Sequence, residues 1–203
     1  LFAGLELIFL LLMMNKKVIL TDCDGVLVDW FYGFVKWMKH QGYEVKVENE
    51  YDIAIAYGIE KGHSKHLVRM FNESASMGYL TPLRDAIKYV KKLHEEKGYV
   101  FHCITSLSLE ENAYKLRKQN LEALFGKTAF EKLVCLDTGA DKDEALEEYR
   151  DSGCVWLEDK VENAELGVEM GLQSVLIEHG YNADYDNVNI QKVSKWKEIF
   201  DIL

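Results

Sequence analysis

Short, continuous apolar runs alternate with longer stretches of helical spacing along most of the chain. Val18-Ile19-Leu20 is the first such run, ends at Thr21-Asp22 and reads as a strand. Residues 99–105, 133–136, 155–158 and 174–177 form four more. Between them, helices are predicted over 29–40, 81–97, 109–125, 142–152 and 163–170, with a last one over 194–202. Glycines at 42, 98, 126, 153 and 171 stop five of these. Thr81 is set to cap the second helix, with Pro82 at its first position, where a missing N–H is tolerated. Residues 43–78 are mixed in character and predict two or three short helices. Strands that are apolar throughout, rather than alternating, are expected when helices cover both faces of a sheet. The predicted fold class is therefore α/β, a doubly wound parallel sheet with a Rossmann-like core. Ligands of such sheets bind outside the carboxyl ends of the strands, so chemistry is sought there.

Composition narrows the picture. The chain has 203 residues, 48% hydrophobic and 29% charged, which suits an ordinary globular protein with a core of its own. A formal net charge of −10 argues against binding a nucleic acid polymer, which needs clustered Lys and Arg. It leaves room for a small phosphorylated substrate held by a metal ion and a few local cations. Cys23, Cys103, Cys135 and Cys154 lack metal-site spacing and lie in or beside apolar runs. They read as small hydrophobes rather than as disulfides or a zinc site, in keeping with a reducing, cytoplasmic compartment. Residues 1–14 (LFAGLELIFLLLMM) are apolar but too short to span a bilayer and lack the marks of a cleaved signal. They read as an extension before a start near Met14, with an added helix or a membrane anchor as the alternative.

Polar residues gather just past the predicted strands. Asp22-Cys23-Asp24-Gly25 comes after the first: one carboxylate can attack while the other handles a proton, and a divalent cation relieves their repulsion. An Asx-turn with a helix cap is the alternative for the same residues. Thr105-Ser106 ends the second strand and suits a phosphoryl oxygen, or a helix cap. Lys142 stands at a helix start after the third, an unfavourable place for a cation on dipole grounds. Glu158-Asp159 ends the fourth, with Asn163 nearby, and two adjacent acids suit a hard cation with oxygen ligands.

These segments resemble the haloacid dehalogenase-like hydrolase superfamily, in its phosphatase branch. TDCDGVL matches the first motif, FHCITS the second, the lysine of GADKDEAL the third and WLEDKVEN the fourth. The resemblance implies that Asp22 attacks phosphorus and carries an aspartyl-phosphate, and that Asp24 is the general acid and then base. It implies that Thr105 and Ser106 bind the phosphoryl group and that Lys142 neutralises it, with Lys127 a rival for that place. Mg2+ is the implied cofactor, held by Asp22, the Asp24 backbone carbonyl and Asp159, with Glu158 and Asn163 acting through water. An aspartate at 24 separates the phosphatases from the dehalogenases.

The first and second motifs stand about 80 residues apart, more than one crossover helix needs. The surplus predicts a small helical cap inserted after the first strand. The expected organisation is an extension at 1–14, a core formed by 15–32 and 80–203, and a cap at 33–79. Such a cap closes over small molecules. The aromatic residues of the cap and its approach, among them Trp30, Phe34, Trp37, Tyr51, Tyr57 and Phe71, either stack on a nucleobase or pack on each other. The layout is also similar to 5′(3′)-deoxyribonucleotidase-type members. A nucleoside monophosphate and a sugar phosphate or other small phosphomonoester both stay open as substrates. His63 and His66 are either ligands or solvated. The activity expected is phosphoric monoester hydrolysis, with a phosphomutase and a catalytically idle binding module as the alternatives. A fused kinase is excluded, because no Gly-rich phosphate loop is present.

Overall fold

The computed structural model describes residues 17–203, so the expectation for 1–14 lies outside the described residues. The elements run β1 (Lys17–Thr21), α1 (Trp30–His40), α2 (Ile53–Tyr57), α3 (Lys61–Asn72), a 3-10 turn (Ala75–Tyr79) and α4 (Ala86–Glu95). There come next β2 (Tyr99–Ser106), α5 (Glu111–Phe125), β3 (Phe130–Leu136), α6 (Asp143–Leu146), a 3-10 turn (Glu147–Tyr149) and β4 (Val155–Glu158). The chain ends with α7 (Val161–Glu169), β5 (Gln173–Ile177), a 3-10 turn (Gly180–Asn182), β6 (Gln191–Val193) and α8 (Trp196–Ile202).

The six strands form one parallel sheet in the order β3-β2-β1-β4-β5-β6. Helices cover both sides, the predicted Rossmann-like α/β arrangement. Successive strand residues point to opposite faces. Ile19, Phe101, Cys103, Leu157 and Val175 pack on one side with Val90 and Leu93 of α4 and Trp196 and Ile199 of α8. Leu20, Ile104 and Trp156 pack on the other with Leu146, Tyr149 and Met170. Each fully buried aliphatic chain among them stabilises the fold by about 1.5–3 kcal/mol. The strand order runs outward in both directions from β1, and that reversal places a crevice at the carboxyl ends of β1 and β4.

Helices α1 to α3 lie between β1 and α4, and local chemistry sets their ends. Asp29 accepts from Tyr32 N at 3.0 Å to start α1, and Asp52 accepts from Ala54 N at 2.8 Å to start α2. Glu60 accepts from Gly62 N and His63 N, both at 2.9 Å, to start α3. The aromatic residues here pack on one another: Trp30 stacks on Phe34 at 4.6 Å, and Phe34 meets Phe71 at 5.3 Å and Tyr57 at 6.0 Å. Such pairs add roughly 0.5–1.5 kcal/mol each beyond their buried area.

Three expectations are corrected. Thr81-Pro82 does not open a helix; Pro82 bridges to Val28, Arg84 is left-handed at φ 41°, and the helix begins at Ala86. The tertiary bridge overrides the local capping signal. Asp85, before that helix, turns away and accepts from Trp196 N (2.9 Å) and Lys197 N (3.1 Å), so it caps α8 instead. The helix predicted over 142–152 is one α turn and one 3-10 turn. A sixth strand of three residues, β6, pairs with β5 where none was predicted. All four cysteines are free. No helix among the described residues is long and apolar enough to cross a membrane.

Candidate active site

The sheet delivers Asp22 to the crevice. Its backbone N–H donates to Leu157 O at 2.9 Å, extending the β1–β4 pairing by one bond. The chain then turns tightly, with Leu27 N and Val28 N both donating to Cys23 O at 2.8 and 3.0 Å. Gly25 makes the turn possible at φ 73°, and a Cβ there would lie 2.2 Å from Asp159 Oδ2. Both the backbone conformation and the space demand glycine.

Lys142 reaches the same point from the loop after β3. Its ammonium, 2% exposed, lies 2.9 Å from Asp22 Oδ2 and 2.5 Å from Glu158 Oε1. Burial works against its charge, but Asp22 and Glu158 outweigh it and hold its pKa above the usual lysine range. Glu158 is fully buried and fully engaged: Oε2 accepts from Asp159 N and Lys160 N, and Oε1 accepts also from Asn163 Nδ2 at 2.9 Å. Ser106 Oγ donates to Ala140 O at 2.8 Å and so ties β2 to the Lys142 loop. Thr105 Oγ1 is buried and has no protein partner, an orphaned donor at the end of β2. Lys127 is exposed, on a surface groove with Lys115 and Lys118, and does not meet Asp22. His63 is exposed and bonds Tyr43 Oη at 2.7 Å, and His66 is exposed.

Asp22, Glu158 and Asp159 offer oxygens within 4.8 Å of one another, all three buried. Four carboxylates (Asp22, Asp24, Glu158, Asp159) face two cations (Lys142, Arg117), which leaves two negative charges unmatched. Burial, and then the charges of Glu158 and Asp22, push the Asp159 carboxyl well above the carboxylate range. Among the described residues none donates to Asp159 Oδ1. An all-oxygen, desolvated cluster whose carboxylates outnumber its cations fits Mg2+, a hard cation that takes oxygen ligands.

Four residues around this centre lie outside the motifs singled out in the sequence. Arg117, on α5 and fully buried, donates through Nη2 to Asp24 Oδ2 at 2.9 Å. Tyr181 donates its hydroxyl to Asp159 Oδ2. Asn182 Nδ2 donates to Asp159 O at 2.8 Å. The His179 ring bonds Gly25 O through Nε2 at 2.7 Å and stacks on Tyr181 at 5.1 Å. Burial lowers the His179 pKa, so the neutral ring is the donor. The loop after β5 thus braces both the Gly25 turn and Asp159. Opposite it, the Tyr51 ring meets Tyr181 at 5.3 Å.

No family model matches the sequence. A protein of Enterobacteria phage T4, described as an uncharacterized 32.4 kDa protein in the Gp30-rIII intergenic region, is 29% identical over 127 residues. The match takes in 59% of this chain but only 45% of the phage protein. Solved structures align over far more. The haloacid dehalogenase-like family hydrolase SP0104 of Streptococcus pneumoniae has a TM-score of 0.63 at 16% identity, covering 93% of this chain and 99% of that one. The fold is that of the haloacid dehalogenase-like hydrolases. CbbY of Rhodobacter sphaeroides, solved with phosphate, has the same fold (TM-score 0.61, 14% identity, 91% and 96% covered). So does the putative hydrolase YfnB of Bacillus subtilis, solved with magnesium (TM-score 0.58, 11% identity, 93% and 98% covered). The carboxyl ends of the neighbouring strands β2, β1 and β4 carry Thr105, Asp22 and Asp159 side by side.

Proposed function

We propose that this protein is a magnesium-dependent phosphomonoesterase acting on a small phosphorylated metabolite. The observation that carries the reading is the buried Lys142 ammonium spanning Asp22 and Glu158, beside a second carboxylate, Asp24. Asp22 attacks phosphorus in line and takes the phosphoryl group as an acyl phosphate. Asp24 protonates the departing alcohol oxygen, then removes a proton from the water that hydrolyses the intermediate. Lys142 balances charge on Asp22 and on the transferring group, and the Thr105 hydroxyl donates to a phosphoryl oxygen. Asp22, Asp159 and the Asp24 carbonyl would hold Mg2+, which would supply positive charge to the phosphoryl oxygens. Glu158 and Asn163 hold Lys142 and the cradle in place.

Dehalogenases share this fold. A halide leaves without a proton, whereas an alkoxide leaving group needs one, and Asp24 is placed to give it. CbbY and YfnB, solved with phosphate and with magnesium, support the chemistry by analogy. Residues 33–79 act as the cap over a core of 15–32 and 80–203. Most of its aromatic side chains are spent on packing, which leaves the half-exposed Tyr51 at the mouth to face a substrate such as a nucleoside monophosphate. Four free thiols agree with a cytoplasmic setting.

The test is phosphate release from a panel of nucleoside monophosphates and sugar phosphates, with and without Mg2+, by native protein and Asp22→Asn. Magnesium-dependent release that the substitution abolishes is expected. Folded native protein that releases nothing from any ester would refute the assignment.

A further inference from the structure

Arg117 lies on a column of α5 that is otherwise apolar: Ala113, Leu121 and Phe125, spaced by four, are all buried beside it. A guanidinium with no exposure stands there, and its contacts are unusual. Nη2 lies 2.7 Å from Asp24 Oδ1 and donates to Oδ2 at 2.9 Å. Nη1 donates to Cys23 Sγ at 3.0 Å and Nη2 to Met77 Sδ at 2.9 Å, while Nε has no partner. Sulfurs are weak acceptors. One carboxylate therefore holds this cation in the interior, and it belongs to Asp24.

The dependence is mutual. Among the described residues no other side chain donates to the Asp24 carboxylate. Both carboxylate oxygens lie within 2.9 Å of Nη2, so the guanidinium fixes the orientation of the whole group. Arg117 itself is sealed under α5 and the Ala75–Tyr79 turn, with no exposure through which to reach a substrate. It can act only through Asp24.

We propose that Arg117 is a positioning residue for the leaving-group proton transfer, fixing the Asp24 carboxylate in place for the departing alcohol. The proposal rests on the phosphomonoesterase reading. In balance, the O–H bond of protonated Asp24 breaks as the P–O bond to the alcohol breaks, and the alcohol leaves neutral. Arg117 neither gains nor loses a proton.

The test exploits the leaving group. An alkyl phosphate needs the proton, whereas 4-nitrophenyl phosphate expels a stable phenolate without one. Single-turnover cleavage of both is measured in Mg2+ with native protein, Arg117→Lys, Arg117→Met and Asp24→Asn. Near-ultraviolet circular dichroism confirms folding, and Arg117→Lys carries the test if Arg117→Met does not fold. Cleavage of the alkyl ester is expected to fall on the order of 10²-fold in Arg117→Met, less in Arg117→Lys, with the aryl ester falling by under about tenfold. In an Asp24→Asn background Arg117→Lys should add nothing further. Equal losses on both esters, or losses that multiply with Asp24→Asn, would show a merely structural arginine and overturn the proposal. Native protein inert toward both esters would instead overturn the assignment of function beneath it.

Discussion

Replacing Lys142 with Met removes the one cation between two buried carboxylates. The side chains concerned are 2% (Lys142), 12% (Asp22) and 0% (Glu158) exposed, so water cannot take over the lost pairing. Breaking a buried ion pair by deleting one partner costs about 3–5 kcal/mol. Two carboxylates lose their counter-ion here, which argues for the upper part of that range. Against this, Glu158 keeps two backbone N–H donors and Asn163, and Met fills the volume, so the loss is expected near 4 kcal/mol. That is a large share of the roughly 5–15 kcal/mol that holds a domain folded. Urea unfolding in chelator should show it: at a slope of about 2 kcal/mol/M the midpoint drops by about 2 M. Adding Glu158→Gln should return at least half of the loss, because one stranded charge is removed with it. Lys127→Met, at an exposed site, should stay within about 0.5 kcal/mol of native. A Lys142→Met loss no larger than that of Lys127→Met, or no recovery in the double variant, would refute the charge balance assigned to the site.

Other perturbations probe the same centre. Asp159→Asn removes a buried charge and its repulsion from Glu158 and Asp22, so in chelator at neutral pH it should raise the unfolding free energy above that of native protein. The same variant should lose the stabilisation that Mg2+ gives native protein, about 2.7 kcal/mol at a hundredfold excess over Kd, read by calorimetry. Gly25→Ala forces a side chain into left-handed backbone for about 1–2 kcal/mol and drives Cβ into Asp159, so thermal stability and Mg2+ affinity should fall together. His179 has its pKa lowered by burial, so its contribution is intact above the ordinary histidine value of about 6.5 and is lost as pH falls below it toward the lowered one. Unfolding melts from pH 7 to 5 should therefore fall more steeply in native protein than in His179→Asn, and parallel curves would contradict this.

The strands of the sheet's centre were legible because a strand buried on both faces carries a continuous apolar run, as Val18-Ile19-Leu20 of β1, Val155-Trp156-Leu157 of β4 and Val175-Leu176-Ile177 of β5 do. The edge strand β6 was not, since three residues with two polar side chains carry no such signal. The helix expected from Thr81 failed because the Val28–Pro82 bridge, a contact between segments far apart in sequence, decided the backbone there. At the site, Asp22, Glu158, Asp159 and Lys142 were legible because each stands at or just past the carboxyl end of an apolar run, where a parallel sheet places its ligands. His179, Tyr181 and Asn182 stand in the equivalent position, two to five residues past Ile177 of β5, and the same rule reaches them. Arg117 had a fainter signal: a lone arginine on a helix normally reads as solvated, but its place in the apolar column with Ala113, Leu121 and Phe125 marks it as buried.

The central claim is that Asp22 carries a phosphoryl group. With Asp24→Asn slowing the water step, native and variant protein are mixed with 4-nitrophenyl phosphate and Mg2+, quenched in acid and digested for mass spectrometry. An added phosphoryl group on the Asp22 peptide, stronger in the variant and absent from Asp22→Asn, is the result expected. Turnover of the ester with no phosphorylated peptide in any sample, or with the group on another residue, would contradict the account.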